Sequence, residues 1–207
     1  IAAAESLPGA NAFDGLDAQV AAMADATPGS EIVVIEQPSD ASLVDVRITF
    51  QTGAAFDPPG KAGLAQLSAS MLANGGTARR SYAELQQAFH PIASGLSVQV
   101  DKELVTFRAT VHRDNLETWH GLVREMLLEP GLREDDFQRL RQQQANAIRT
   151  TLRGNNDEEL AKEALYEKIY GASHPYGRLS LGHASQVESL TLEDVRDFVA
   201  RRFTNGN

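Results

Sequence analysis

Cysteine is absent from the 207-residue sequence. That excludes disulfides and thiolate metal sites and leaves the redox compartment open. Basic residues are in the minority: 19 Lys and Arg against 28 Asp and Glu give a net charge of -9. This balance argues against nucleic acid as a partner, because phosphates are met by clustered Lys and Arg. No apolar run approaches the ~20 residues that cross a bilayer as a helix. The chain opens on Ile1-Ala2-Ala3-Ala4-Glu5, with neither an initiator Met nor the basic-then-apolar pattern of a signal peptide. It reads as a processed mature chain or a fragment. Internal repeats, coiled-coil heptads and low-complexity tracts are also missing. What is there is an ordinary globular composition, 42% hydrophobic and 23% charged, with length enough for a substantial core.

Residues 1–30 are rich in Ala, Gly, Asp and Pro, with Leu16, Val20 and Met23 hinting at a short helix. We read them as a lead-in segment and 31–207 as the domain. Ile32-Val33-Val34-Ile35 is a short apolar strand followed by a turn at Pro38-Ser39-Asp40. From Val44 to Gln51 apolar and polar residues alternate strictly, which predicts a strand with one covered face. Ser81 with Glu84 is a capping-box pair opening a helix that ends near His90-Pro91. Leu96–Val100 and Val105–Val111 form a hairpin turning at Asp101-Lys102.

Asp114 and Glu117 open a helix with a buried stripe of Leu116, Trp119, Val123, Met126 and Leu127. A long helix follows from about Glu134 to Arg153, with Phe137, Leu140, Ala147, Ile148 and Leu152 inward. Gly154-Asn155-Asn156 breaks it. Asp157–Tyr170 resumes with Leu160, Ala164, Leu165 and Ile169 on one face. Thr191 with Asp194 caps a last helix carrying Val195, Phe198, Val199 and Phe203. Strands and helices follow one another without a βαβ rhythm. The fold class is therefore α+β, a mainly antiparallel sheet with helices packed on one face.

The stretch from Gly63 to Thr77 organises the rest. Leu64, Leu67, Met71 and Leu72 recur at helical spacing. Asn74, Gly75 and Gly76 stop the helix, glycine accepting the left-handed conformation many helix ends need. With its flanks, the stretch resembles the first active-site helix of the insulinase/pitrilysin family of zinc peptidases, which includes the mitochondrial processing peptidases. Those enzymes carry H-x-x-E-H within a G-L-A-H-x-x-E-H-M-L-x-x-G-T frame. Here the frame is present, but Gln66, Ala69 and Ser70 stand at the two histidine positions and the glutamate between them. The likeness extends from about Ile32 to Asn207. It takes in Gly76-Thr77, Ser81, the Gly95 to Phe107 hairpin, Asp114-Asn115-Leu116, the Pro130 to Phe137 junction and His174-Pro175-Tyr176-Gly177 with Gly182.

The resemblance implies the N-terminal half of a two-domain fold whose homologous α+β halves enclose a peptide-sized chamber. In the family, two histidines one turn apart and a glutamate from the later long helix hold zinc, and the glutamate between the histidines is the general base. Gln66 offers an amide oxygen, Ser70 is a very weak ligand, and Ala69 accepts no proton. The distal glutamate falls near Asn146 or Ala147, and no Asp or Glu occurs from Phe137 to Asn156. The expectation is therefore no catalytic residue, no metal site and no zinc. His90, His112, His120, His174 and His183 read as surface or structural histidines, none at a ligand spacing from a carboxylate.

The family also binds substrate as an added strand along the edge that corresponds to Leu96-Ser97-Val98-Gln99-Val100, a mode carried by main-chain hydrogen bonds. An ordinary edge strand is the alternative. The expected function is a non-catalytic peptidase homologue, a structural or regulatory half-chamber partnered by a second homologous domain or an active peptidase subunit. The alternatives are a stand-alone module that binds extended peptides and, more remotely, a hydrolase with an unconventional site. Relatives that are often periplasmic suggest a periplasmic or secreted location.

Overall fold

In this computed structural model, residues 32, 34–37, 40–152, 157–171 and 174–207 are described. The alternating run becomes strand β1, Leu43–Phe50. It pairs antiparallel with β3, Val105–His112, with Leu43 opposite His112 and Phe50 opposite Val105. On the other side of β3 lies β2, Ser97–Val100, so the sheet order is β1-β3-β2. Along β3, Val105, Phe107 and Val111 are buried while Arg108 and Thr110 are less covered. The sheet is therefore covered on one face, as the alternation requires.

Seven α-helices accompany it among the described residues: α1 Leu64–Asn74, α2 Tyr82–Phe89, α3 Leu116–Leu128, α4 Glu134–Asn146, α5 Asp157–Tyr170, α6 Ala184–Ser189 and α7 Leu192–Arg202. Helix α1 lies in the main core. There Leu64, Leu67, Met71 and Leu72 meet Val100, Val105 and Phe107 of the hairpin, Phe137 and Leu140 of α4, and Val195 and Phe198 of α7. Phe50, Phe107 and Phe203 pack edge-on, with centroids 5.1 to 6.1 Å apart. A second cluster joins Leu85 and Phe89 of α2 to Val111 and to Trp119, Leu122, Val123 and Met126 of α3. The indole Nε1 of Trp119 donates to the Gly95 carbonyl at 3.0 Å, which satisfies its polar edge inside the core. Both capping boxes form: Ser81 with Glu84, and Thr191 with Asp194.

Several sequence expectations are corrected. Residues 32 and 34–37 carry no strand, and Ile32, Val34 and Ile35 are exposed. A short apolar run becomes sheet only with a ladder partner, and among the described residues β1 has none on its outer edge. In α5, Leu165 and Ile169 are 57% and 58% exposed. That helix packs chiefly on the Pro175–Gly177 turn and the end of the preceding helix.

The α3 entry is a 3-10 turn, Arg113–Asn115, capped by Nδ1 of His112 and not by Asp114. The long helix widens into a π-helical segment, Ala147–Leu152. Gly75 is extended, at φ -97 and ψ 172. It is required because a Cβ there would lie 2.4 Å from the Met71 carbonyl oxygen. Helix α6 has no counterpart in the sequence pattern. The lead-in helix at Leu16, Val20 and Met23, the Pro38-Ser39 turn, the break at Gly154-Asn155-Asn156 and the side chains of Leu152 and Leu160 lie outside the described residues.

Candidate functional site

Helix α1 is enclosed by β2, α4, α7 and α3. Its buried residues are Leu64, Ala65, Leu67, Ser68, Ala69, Met71, Leu72 and Ala73. Gln66, Ser70 and Asn74 are half-buried, four residues apart, and form the one accessible stripe of the helix among the described residues. Nε2 of Gln66 donates to Oγ of Ser70 at 3.2 Å. Ala69, which the resemblance sets at the general-base position, is fully buried.

The helix entry is held by a group that sequence reasoning missed. Asp57 is 3% exposed and accepts from the amides of Gly63 and Ala65, both at 2.7 Å. It caps α1 from six residues before Gly63, outside the one-turn spacing by which a cap is recognised in sequence. Burial pushes its carboxyl up from 3.8 to about 7, against the pull of the two amides and of the Arg178 guanidinium. Gly63 itself stands at φ +95, and a Cβ on it would fall 2.6 Å from the Leu181 carbonyl oxygen. Gln144 of α4 reaches across to donate to the carbonyls of Gly63 and Leu181, at 3.0 and 2.8 Å.

The exit of α1 is pinned too. Oγ1 of Thr77 donates to Oε1 of Glu125 at 2.5 Å, and Arg80 pairs with the other oxygen of that carboxylate. The Gly76 amide donates to Asp136 at 2.9 Å. These long-range links anchor the exit of α1, and the Asn74 carbonyl at its end accepts from Arg139 at 2.7 Å.

Asn146 and Ala147, near which the resemblance sets the distal ligand, lie where α4 turns π-helical. Asn146 is exposed, Ala147 half-buried, and Nε2 of Gln142 donates to Oδ1 of Asn146 at 2.9 Å. Every group at the motif positions is thus a neutral amide, a hydroxyl or a methyl. This donor set does not fit zinc, which takes imidazole, carboxylate or thiolate. The histidines are dispersed. His112 caps a turn, and His174 accepts from the Tyr176 amide while stacking on Tyr170 at 5.2 Å. His90, His120 and His183 are exposed. Among the described residues no three His, Asp or Glu side chains converge as a metal-holding group.

The edge strand is Ser97–Val100, one residue shorter than read from the sequence, with Leu96 just outside it. Asp101 N donates to Leu104 O, and Arg113 N donates to Ser42 O. These two bonds fix the alternation of the antiparallel ladder. Ser97 and Gln99 bond to β3. The N–H and C=O of Val98 and Val100 point away from it. Among the described residues no strand lies beyond β2. The hairpin tip is clamped: Asp101 and Lys102 carbonyls accept from Ala54 and Ala55, and the Tyr176 hydroxyl donates to Glu103.

An antiparallel sheet with α1 packed against β2, and α4 packed on α1, is the α+β architecture that the resemblance implies. Residues 32–179 match the family Insulinase (Peptidase family M16), and the chain belongs to it. A probable mitochondrial-processing peptidase subunit beta of Arabidopsis thaliana is 24% identical over 177 residues, 86% of this chain and 33% of the relative. The chain therefore spans about a third of that protein's length. A peptidase M16 inactive domain from Pseudomonas fluorescens superposes with a TM-score of 0.69 at 24% identity, over 79% of this chain and 39% of that one. A protease from Helicobacter pylori gives 0.72 at 18% identity, over 82% and 40%. Pitrilysin gives 0.68 at 18%, over 81% and 18%.

Proposed function

We propose that this domain is a non-catalytic M16 homologue. It serves as a structural or regulatory half of a peptide chamber, beside a homologous zinc-bearing domain or subunit. The observation that carries the reading is the α1 stripe. Its two ligand positions hold Gln66 and Ser70 bonded to each other, and its base position is the buried methyl of Ala69. General-base chemistry needs a titratable group within reach of the water it activates, and this helix offers none. The chain matches about 40% of two solved relatives, one of them described as an inactive domain, which suits one half of a larger assembly. The test is co-purification with an H-x-x-E-H-bearing homologue and an assay of that partner's peptide hydrolysis. A stable complex that changes the partner's rate is expected. A monodisperse monomer that leaves the rate untouched would defeat the reading.

The open β2 edge favours a second role, compatible with the first or independent of it: the domain binds extended peptides by strand addition without cleaving them. It predicts saturable binding with no turnover. The outward N–H groups of Val98 and Val100 are the donors such a peptide would meet.

A further inference from the structure

Asparagine is followed by glycine at two places in the chain, Asn74-Gly75 and Asn205-Gly206. The fold treats them differently. In such a pair the glycine nitrogen can close a cyclic imide on the asparagine side chain, and no Cβ hinders its approach. Closure needs that N–H to be free and the backbone between the two residues to turn.

Asn74 ends α1. The Gly75 N–H donates to the Met71 carbonyl at 3.1 Å, and Gly75 is buried. The Asn74 carbonyl accepts from Arg139 at 2.7 Å. Ring closure there would break a helix end set in the main core. Asn205 lies beyond α7, which ends at Arg202. The Asn207 N–H donates to the Thr204 carbonyl at 3.1 Å, so Asn205 and Gly206 are the two central residues of a hydrogen-bonded turn. Asn205 is exposed. Among the described residues neither its side chain nor the Gly206 N–H makes a hydrogen bond. The turn is tied by the Thr204 bond and by Nδ2 of Asn207 donating to the Arg202 carbonyl at 2.7 Å. Such bonds exchange with water at small net cost.

We propose that Asn205 is a site of spontaneous deamidation and that Asn74 is protected. The Gly206 nitrogen attacks Cγ of Asn205 and gives up its proton. The Cγ–Nδ2 bond breaks, and Nδ2 leaves as ammonia with that proton. The imide then takes up one water. Opening at Cγ gives aspartate. Opening at the main-chain carbonyl gives isoaspartate, joined to Gly206 through Cγ. Either product puts a carboxylate just past the C-terminus of α7, where the helix dipole disfavours negative charge. Isoaspartate also lengthens the main chain beside Phe203, which packs edge-on against Phe50 and Phe107.

The test holds the 207-residue chain at mildly alkaline pH, in buffer and in denaturing urea, and then digests it with trypsin. Cleavage after Arg202 releases 203–207, while Asn74 leaves in 62–79. Chromatography with mass spectrometry separates the amide, aspartate and isoaspartate forms of each. In buffer 203–207 should convert at least about tenfold faster than 62–79, because the buried helix end must first open locally and the turn need not. In urea the two should convert at like rates. Gly206→Ala should slow 203–207 severalfold and leave 62–79 unchanged, and a circular dichroism melt verifies that this variant folds. An Asn205 that stays an amide in buffer would overturn the proposal, whatever happens in urea. Equal conversion of both sites in buffer would overturn the protection of Asn74. Conversion undiminished in Gly206→Ala would overturn the imide route.

Discussion

Nε2 of Gln66 donates to Oγ of Ser70 across 3.2 Å, one turn further along α1. These are the two positions at which the resemblance implies histidines. The expected consequence is weak zinc affinity. After dialysis the purified chain should hold far less than one zinc per molecule by elemental analysis. One tightly held ion per chain would mean that other ligands converge, and would favour the hydrolase with an unconventional site.

The ladder alternation makes Val98 a selective probe. Proline there removes an outward N–H while the bonds of Ser97 and Gln99 to β3 remain, and edge strands tolerate proline. Peptide affinity should fall by about 0.5–1.5 kcal/mol, the net worth of one main-chain bond. Urea denaturation should show a loss of stability no larger than that of a Val98→Ala control.

Glu125 holds both Thr77, which is fully buried, and Arg80. Glu125→Ala leaves a buried hydroxyl and a half-exposed guanidinium without their acceptor. We expect a loss of about 2 kcal/mol in urea unfolding, where replacing the exposed Glu117 should cost almost nothing.

Asp57 gives a pH dependence with a definite sign. Its carboxyl is raised from 3.8 to about 7 by burial, so the folded chain favours the protonated form. Its contribution to stability is full below the unfolded pKa, near 4, and is lost as the pH rises through about 7. Between pH 4 and 7 this group alone makes the protein less stable with rising pH. Asp57→Asn should flatten that part of the profile when unfolding free energies are measured across the range. A wild-type profile identical to that of the variant would show that Asp57 is ionised without penalty at its helix-capping position.

Gly63 tests the entry of α1. Its φ is +95, and an added Cβ would meet the Leu181 carbonyl oxygen at 2.6 Å. Gly63→Ala therefore combines backbone strain with a clash against main chain. A loss of at least ~1–2 kcal/mol is expected, seen as a lowered melting temperature. Gly60→Ala, also at positive φ but with nothing near its Cβ, should cost less.

Much of the helix and strand pattern was legible because its causes are local. Alternation along Val44–Phe50 marks a covered face. Ser81 with Glu84, and Thr191 with Asp194, satisfy each other within four residues. The frame from Gly63 to Thr77 carries the family likeness through residue identities, and the expectation that Gln66, Ala69 and Ser70 stand at the ligand and base positions was read from the same identities.

The tertiary structure decided what depends on distant partners. Whether Ile32–Ile35 becomes sheet turns on a ladder partner, and whether Leu165 and Ile169 are covered turns on what α5 meets. Periodicity along the chain contains neither fact. Asp57 caps a helix from outside the local spacing, Thr77 finds its acceptor 48 residues away in Glu125, and Gly75 is dictated by the Met71 carbonyl and not by a left-handed turn. The bond between Gln66 and Ser70 was within reach of helical spacing. That their stripe is the open line on α1 was not, because it depends on β2, α3, α4 and α7 closing the other sides.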